Sequence, residues 1–433
     1  MCHSIDVMRA SSRALRNEER LLALIAESSA SAEGCGEVLG DTVASLFQNA
    51  FDWDYFARLA RYHDYLPAAY RLFKDLEILR LMPDRLQRLS EHEYLLSQAR
   101  FIKKESELLA IIQEMKNEHI DPIVIKGAPL AYLLYRDPGI RISKDIDILI
   151  SSSDVEVARN AMLRIGYSLY TRLGSAEDYR DYHFHYVFTR GEKLDSIVEI
   201  HWSLVYPNMD QRVVDDNAIR EEAIPVVMRD AVVRTLGLPH ALWHISVHLS
   251  YESFLVFRNF AELKRIALRL TESDWHKALQ WSRRCNTGYE LSLALNLCEF
   301  LFGHFLDPGI RKSLKVGFFS RTFILGMYYP RALLFEWLPF FDTHHLAMDL
   351  VLRKTVASKL RCMYRFIVPD RSMARRFWFT VKDKRIGNRI KYHLKGAYIL
   401  LKVIALLASL AFIVRSRVFG AGFLDPERHQ KLS

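Results

Sequence analysis

The sequence predicts an α+β fold in which a small mixed-sheet α/β unit is embedded between helical regions. Three observations support this prediction. Apolar residues recur at helical spacing from residue 20 to about 120, strand-like runs alternate with turn residues from 121 to about 205, and helical spacing returns after Pro207. Half of the 433 residues are apolar and 26% are charged, which is typical of a folded globular chain.

We expect four parts along the chain. Residues 1–120 form a helical N-terminal region, 121–205 form the α/β unit, and 206–335 form a helical region that closes a cleft. Residues 336–433 form a basic C-terminal region that contains an apolar helix at 397–414. Five scattered cysteines without paired spacing, and an N-terminus without a secretory signal, predict a cytoplasmic protein.

Turn residues divide the α/β unit into its elements. The run 122–125 is expected to form a buried strand that ends at Lys126-Gly127, and 128–135 is expected to form a helix that is broken at 137–139. Residues 145–150 alternate between charged and apolar, as a strand with one wet face does. A helix over 152–165 and two strands, at 185–189 and 197–204, are expected to follow.

Carboxylates are the candidate catalytic groups of this unit. Residues two apart on a strand point to the same face, so Asp145 and Asp147 are expected to project side by side. Glu199, in the middle of an apolar run, would complete a set of oxygen ligands of the kind that Mg²⁺ prefers. Two such ions, roughly 3.5–4 Å apart, can clamp a phosphoryl transfer. The alternative is an ordinary solvated strand face.

Four motifs carry a family resemblance through their order and spacing. They are Ile125-Lys126-Gly127-Ala128, Leu134-Tyr135-Arg136-Asp137-Pro138-Gly139-Ile140-Arg141, Asp145-Ile146-Asp147-Ile148-Leu149 and Val198-Glu199-Ile200-His201-Trp202. Together they resemble the uncharacterised nucleotidyltransferase family of bacteria, which belongs to the polymerase-β-like nucleotidyltransferase superfamily. The resemblance covers roughly residues 40 to 310. Family members often sit among genes for surface-polysaccharide assembly.

The resemblance implies a role for each carboxylate. Asp145 and Asp147 would bind two Mg²⁺ ions, and Glu199 would be the third carboxylate and would help to deprotonate the acceptor. The implied reaction is attack of an acceptor group on the α-phosphorus of a nucleoside triphosphate, with pyrophosphate leaving.

The resemblance also places the nucleotide. Gly127 would open the helix that faces the triphosphate, where backbone N–H groups favour anions. The usual Gly-Ser of the superfamily is replaced here by Gly127-Ala128, so the hydroxyl that often contacts phosphate is missing. Lys126, Arg141 and Lys144 are the expected cationic phosphate contacts, and ordinary solvated charge is the alternative for each.

Histidines and one asparagine are candidates for the acceptor side of the cleft. His244 and His248 match histidines that related proteins tend to have, and Asn259 stands where relatives often have Asp. Ordinary helix packing is the favoured alternative for the two histidines. His240, His244 and His248 lie four residues apart on one helix, but no Glu of the metalloprotease pattern is near them, so zinc is not expected there. His201 would share the face of Glu199 if the strand is regular.

The C-terminal region predicts an anionic partner. From residue 351 onward, 19 Lys+Arg stand against 4 Asp+Glu. The apolar run 397–414 carries a polar stripe that repeats every seven residues, which favours a helix lying on the membrane surface, or one packed on protein, over a transmembrane helix. No recognised nucleic-acid-binding fold accompanies this charge. We therefore expect a cytoplasmic protein that is peripheral on the inner face of the membrane.

Two rival functions stay open beside Mg²⁺-dependent nucleotidyl transfer. One is a non-catalytic scaffold protein with the same fold in envelope assembly, which loss of a carboxylate would have favoured. The other is a toxin–antitoxin-type nucleotidyltransferase that modifies tRNA or protein. The sequence names neither the nucleotide nor the acceptor.

Overall fold

The computed structural model of the chain describes residues 16–28, 36–47, 50–170, 184–191, 196–205, 217–252, 254, 256–314 and 360. The chain divides into two compact units: Met1–His248 together with Val256–Leu314, and Leu249–Leu255 together with Lys315–Ser433. The fold and the site described below belong to the first unit. The predicted apolar helix at 397–414 lies outside the described residues.

Helices precede and follow the sheet, as the sequence predicts. Those before it are α1 (Asn17–Ser28), α2 (Gly36–Ser45), α3 (Trp53–Tyr62), α4 (Leu66–Asp75) and α5 (Asp84–Asn117). Those within the sheet region are α6 (Ala128–Leu134), α7 (Val155–Arg164) and α8 (Asn217–Glu221). Those after it are α9 (Leu238–Tyr251), α10 (Phe257–Ala267), α11 (Glu272–Arg284), α12 (Gly288–Phe302) and α13 (Pro308–Ser313). No helix among the described residues combines the length and the apolar run that crossing a bilayer requires.

The seven described strands form one mixed sheet. They are β1 (Ile123–Val124), β2 (Ile146–Leu149), β3 (Ser168–Leu169), β4 (His185–Arg190), β5 (Ser196–His201), β6 (Ile224–Met228) and β7 (Ala231–Thr235). Their order across the sheet is β3-β4-β5-β2-β1-β7-β6. Strand β2 runs parallel to β5 and antiparallel to β1. The predicted α+β fold class is therefore confirmed.

One face of the sheet is apolar and carries the core. Ile146, Ile148 and Ile150 point into it and are almost fully buried, as the alternation of β2 predicts. Apolar side chains of α5 and α7 cover this face, so the core lies between these helices and the sheet. Burial of one face leaves the charged side chains of the central strands on the opposite face.

A hairpin extends the sheet beyond residue 205, where the sequence indicated only helices. Strands β6 and β7 pair antiparallel, and β7 joins β1 in parallel at Val124 and Thr235. Val226 and Val233 are buried while Val227 and Val232 are exposed, so the run has the period of a strand with one wet face. Two β-branched runs around the short turn at Arg229 and Asp230 were the signal for this hairpin. The boundaries predicted for the four parts stay a prediction.

Candidate active site

Three carboxylates meet on the polar face of the central strands. Asp147 on β2 is directly opposite Glu199 on β5, and Asp145 immediately precedes β2. One oxygen from each of the three carboxylates lies within 4.8 Å of the others. The parallel register of two neighbouring strands thus brings together the three acidic residues that the sequence singled out.

Asp147 is the most deeply buried of the three, with a side chain that is 1% exposed. His201 Nε2 lies 3.2 Å from its Oδ1, and Lys126 Nζ lies 3.5 Å from its Oδ2. Among the described residues, Oδ2 accepts no hydrogen bond. Burial alone would raise the pKa of Asp147, but the Lys126 charge and the His201 hydrogen bond outweigh it and lower the pKa. Asp147 is therefore an anion, and its Oδ2 faces the Lys126 charge without a hydrogen bond within the described residues.

Glu199 and His201 form an ion pair on β5. His201 Nε2 lies 3.3 Å from Glu199 Oε2. Burial acts to raise the pKa of Glu199, yet the hydrogen bond from His201 and the charge of His185 lower it to about 2. Burial acts to lower the pKa of His201, but its hydrogen bonds to Asp147 and Glu199 raise it. The two carboxylates therefore favour the protonated form of the His201 imidazole.

The segment that leads into Asp145 is fixed from two sides. Lys104 Nζ on α5 donates to the Lys144 carbonyl at 2.9 Å, and Arg258 on α10 donates to the Ile142 carbonyl. The Ser143 hydroxyl donates to the Asp145 carbonyl at 3.0 Å. Helices that precede and follow the sheet in sequence therefore position the first carboxylate.

A pocket adjoins the carboxylates and is rich in cations. Its wall includes Arg100 and Lys104 from α5, Lys126 and Arg141. Other lining residues are Ser97, Phe101, Leu108, Val124, Gly127, Ala128, Ile142, Ser143, Asp145 and Ile146. Asp145 belongs to both the pocket and the carboxylate cluster, and Lys126 of the pocket pairs with Asp147. An anionic ligand in the pocket would therefore lie beside the carboxylates.

Lys126 and Gly127 form the turn that the sequence predicted after β1. Gly127 has φ +80°, which favours glycine, and it caps α6. The Lys126 side chain is only 18% exposed, so it is not an ordinary solvated lysine. Its Nζ lies 3.5 Å from Asp147, 4.0 Å from Asp145 Oδ2 and 3.1 Å from His248 Nε2. The Ser143 hydroxyl lies 3.9 Å from where a Cβ on Gly127 would be, so a hydroxyl is present near this turn although residue 128 is alanine.

The other two predicted phosphate contacts differ in their surroundings. Arg141 is buried and forms a two-point ion pair with Glu262, at 2.8 Å through Nε and 3.2 Å through Nη2. Its Nη1 makes no hydrogen bond within the described part of the chain. Lys144 is 79% exposed and lies 3.5 Å from Asp64. Arg141 thus lines the pocket with one buried guanidinium nitrogen that makes no hydrogen bond within the described residues, whereas the Lys144 side chain lies at the surface.

The candidates for the acceptor side lie on α9 and α10. His248 contacts Lys126, which in turn contacts the carboxylates of Asp145 and Asp147. The rings of His248 and His244 pack against each other with centroids 5.8 Å apart. His244 is buried, and neither of its ring nitrogens hydrogen-bonds within the described residues. Burial and the charges around it hold the pKa of His244 well below its ordinary value. Asn259 is half-buried in the first turn of α10. An acceptor role for these three residues stays a prediction.

The sequence model of the family described as uncharacterised nucleotidyltransferase matches residues 49–303, which is more than half of the chain. The chain belongs to this family. No curated protein matches the chain. The matched range includes every residue of the carboxylate cluster and of the cationic pocket.

Several residues of the candidate site were not predicted from the sequence. Arg100 and Lys104 were not singled out, because the helix before the sheet carries no motif. Arg100 and Lys104 are four residues apart, which places them on one face of α5. Ser97 and Phe101 of the same helix also line the pocket. This spacing was the signal from which the two cations could have been predicted. No local pattern identified Glu262 as the partner of Arg141, since the two residues are far apart in sequence.

Proposed function

We propose that the chain is an Mg²⁺-dependent nucleotidyltransferase that transfers a nucleoside monophosphate from a nucleoside triphosphate to a hydroxyl acceptor. The observation that carries the proposal is the meeting of Asp145, Asp147 and Glu199 beside a pocket with four cationic side chains. Membership of a nucleotidyltransferase family supports the general activity. The donor, the metal and the acceptor are parts of the proposal.

The oxygen ligands fit a hard divalent cation. Asp145, Asp147 and Glu199 offer carboxylate oxygens only, and the buried Oδ2 of Asp147 has no hydrogen bond within the described residues. Mg²⁺ at such ligands, bridging to substrate phosphates, would neutralise charge that develops during phosphoryl transfer. The presence of all three carboxylates also speaks against a non-catalytic scaffold with the same fold.

The cationic pocket fits the triphosphate. Arg100, Lys104, Lys126 and Arg141 supply positive charge from three different parts of the chain, and the Ser143 hydroxyl adds a neutral donor. Charge-assisted hydrogen bonds of this kind are roughly twice as strong as neutral ones. We therefore assign the phosphates to this pocket, with the α-phosphate nearest Asp145.

The proposed reaction forms one bond to phosphorus and breaks another. The acceptor oxygen forms a bond to the α-phosphorus, the bond from the α-phosphorus to the bridging oxygen breaks, and pyrophosphate leaves with the electron pair. A general base works best when its pKa is near the working pH. A pKa of about 2 makes Glu199 a poor base, so it acts mainly as a ligand, and the acceptor proton passes to solvent or to another site group.

The family resemblance supplies the setting that we propose for the reaction, which is surface-polysaccharide assembly. The net positive charge after residue 351 supports contact with an anionic membrane surface, where such acceptors are assembled. Within this setting His244, His248 and Asn259 would face the acceptor.

A thermal-shift panel of nucleoside triphosphates, with and without Mg²⁺, tests the proposal. We expect one triphosphate to raise the melting temperature in a metal-dependent way. Asp145→Ala should abolish both this shift and nucleotidyl transfer while the protein stays folded. The matched control is Asp230→Ala, since Asp230 is exposed in the turn between β6 and β7. Transfer at the wild-type rate by the Asp145 variant would refute the assignment.

A further inference from the structure

Two histidines share the polar face with the carboxylates. His185 on β4 is directly opposite His201 on β5, and Glu199 lies two residues before His201 on the same strand. Since Asp147 is opposite Glu199 on β2, three adjacent strands present two imidazoles and two carboxylates side by side. Only Glu199 and Asp147 among them belong to the proposed magnesium ligands.

The distances between these groups match a coordination shell. His201 Nε2 lies 3.2 Å from Asp147 Oδ1 and 3.3 Å from Glu199 Oε2, and His185 Nε2 lies 3.9 Å from the same Glu199 oxygen. The ligand atoms of His185, Glu199 and His201 all lie within 4.8 Å of one another. In a tetrahedral site with bonds of about 2.1 Å, neighbouring ligand atoms are about 3.4 Å apart. Small side-chain movements would bring the four atoms onto one ion.

Three of the four groups are largely buried, and Glu199 is 23% exposed. The side chains of His201 and Asp147 are 4% and 1% exposed, and that of His185 is 11% exposed. The two imidazole rings pack against each other with centroids 4.8 Å apart. Ligands that are already fixed lose little conformational freedom when an ion binds.

The chemistry of the donors separates this cluster from the oxygen-only set. Mg²⁺ requires oxygen ligands and keeps several waters, whereas imidazole nitrogen favours Zn²⁺ and related transition-metal ions. We propose that His185, His201, Glu199 and Asp147 bind one divalent transition-metal ion of the Zn²⁺ type. This goes beyond the proposed function, because binding of the ion requires neither nucleotide nor transfer. Glu199 and Asp147 belong to both sets, so the ion would be a neighbour of the magnesium site.

Metal titration of the full chain tests the proposal. The protein is stripped with a chelator and titrated with Co²⁺, whose visible absorption reports four-coordinate binding. We expect one equivalent of Co²⁺ to bind, to be displaced by Zn²⁺ and to resist an excess of Mg²⁺. His185→Gln and His201→Gln should each weaken Co²⁺ binding at least about tenfold. Asp145→Asn should retain it, and the matched control is His276→Gln, at an exposed histidine on α11.

X-ray absorption at the zinc edge of the wild-type protein gives a second measurement that needs no variant. Two imidazole ligands per zinc support the site, and none or one overturns it. Co²⁺ binding that is unchanged in both histidine variants, or that Mg²⁺ displaces at equal concentration, also overturns it. Failure of this site would leave the Mg²⁺-dependent triphosphate shift of the wild-type protein intact. If the wild-type protein showed no such shift but still bound Co²⁺, the proposed function would be wrong and the transition-metal site would stand.

Discussion

Arg100 and Lys103 are three residues apart on α5 but differ in their relation to the pocket. Arg100 lines it, whereas the exposed Lys103 is not among the lining residues that the structure describes. A charge-assisted hydrogen bond contributes about 1.5–3 kcal/mol. We therefore expect Arg100→Gln to weaken triphosphate binding roughly tenfold or more. Isothermal titration with the triphosphate identified by thermal shift would measure this.

The matched control for Arg100→Gln is Lys103→Gln, which removes one positive charge from the same helix. We expect its triphosphate affinity to stay within about twofold of wild type, because exposed charges at a distance are screened by salt. Equal losses in the two variants would mean that the long-range field of α5 binds the nucleotide, and the pocket assignment would then be wrong.

His244 predicts a pH dependence of stability. Its pKa is held well below the ordinary value in the folded protein, while the unfolded chain takes up a proton near pH 6.5. The unfolded state therefore binds more protons below pH 6.5, and stability falls there by at most about 1.4 kcal/mol per pH unit. His244→Leu should remove this loss, so that between pH 7.5 and 5.5 its urea midpoint falls less, or rises more, than that of wild type.

The control for His244→Leu is His276→Gln, at an exposed position.

His201 affects stability in the opposite sense, because its pKa is raised in the folded protein. The stabilisation from its raised pKa is fully present below pH 6.5 and is lost as the pH rises through the folded pKa. The wild-type curve contains both effects, and only the difference between variants separates them. A His244 variant with the same pH dependence as the His276 variant would contradict the prediction.

At the scale of elements, one buried ion pair joins α10 to the segment before β2. Glu262 accepts from Arg141 at 2.8 Å and from the Tyr135 hydroxyl at 2.8 Å. The Arg141 and Glu262 side chains are 2% and 1% exposed. Removing one partner of a buried pair leaves an uncompensated charge, which costs about 3–5 kcal/mol. We expect Glu262→Ala to lower the free energy of unfolding by this amount in urea denaturation.

The matched control is Glu222→Ala, which removes a carboxylate that pairs with Lys277 at 2.9 Å while both side chains are about half exposed. An exposed pair of this kind contributes about 0–1 kcal/mol. Replacing Arg141 and Glu262 together by methionine should recover most of the stability lost in Glu262→Ala, since no charge is then left buried. Equal costs for the two Glu→Ala variants would show that the buried pair does not hold the elements together.

Elements with strong local signals could be predicted from the sequence, and those that depend on distant contacts could not. The helix α6 was predicted within one residue, because a glycine turn precedes it and Asp137-Pro138-Gly139 follows it. The hairpin β6–β7 was not predicted, since its short runs were read together with the surrounding helices. Asp145, Asp147 and Glu199 were predicted because strand alternation is a local pattern. The contribution of α5 to the pocket, and the contacts of α10 with Arg141 and Ile142, depend on tertiary packing.

For the whole molecule, charge is distributed unevenly along the chain. From residue 351 onward there are 19 Lys+Arg against 4 Asp+Glu, while the remainder of the chain has 41 against 47. The family match ends at residue 303, so the basic region lies outside the part that carries the site. This separation predicts that membrane contact and nucleotide binding can be lost independently.

Vesicle co-sedimentation of the full chain tests the role of the basic region. Each Lys or Arg near an anionic surface contributes about 1 kcal/mol. Changing Lys382, Lys384 and Arg385 to Gln should therefore weaken binding to phosphatidylserine vesicles roughly 100-fold. Removing residues 380–433 should abolish binding and leave the Mg²⁺-dependent triphosphate shift unchanged. Unchanged lipid binding after this truncation would refute membrane contact through the basic region.

The matched control for the three charge changes is the same change at Arg80, Arg85 and Arg88, which are exposed in the helical region before the sheet. This variant has the same net charge as the test variant but keeps the basic region intact, so we expect it to bind vesicles like wild type.

The dependence of vesicle binding on salt concentration separates two modes of contact. Binding through headgroup charge alone should disappear at high ionic strength, whereas insertion of the apolar run 397–414 should persist.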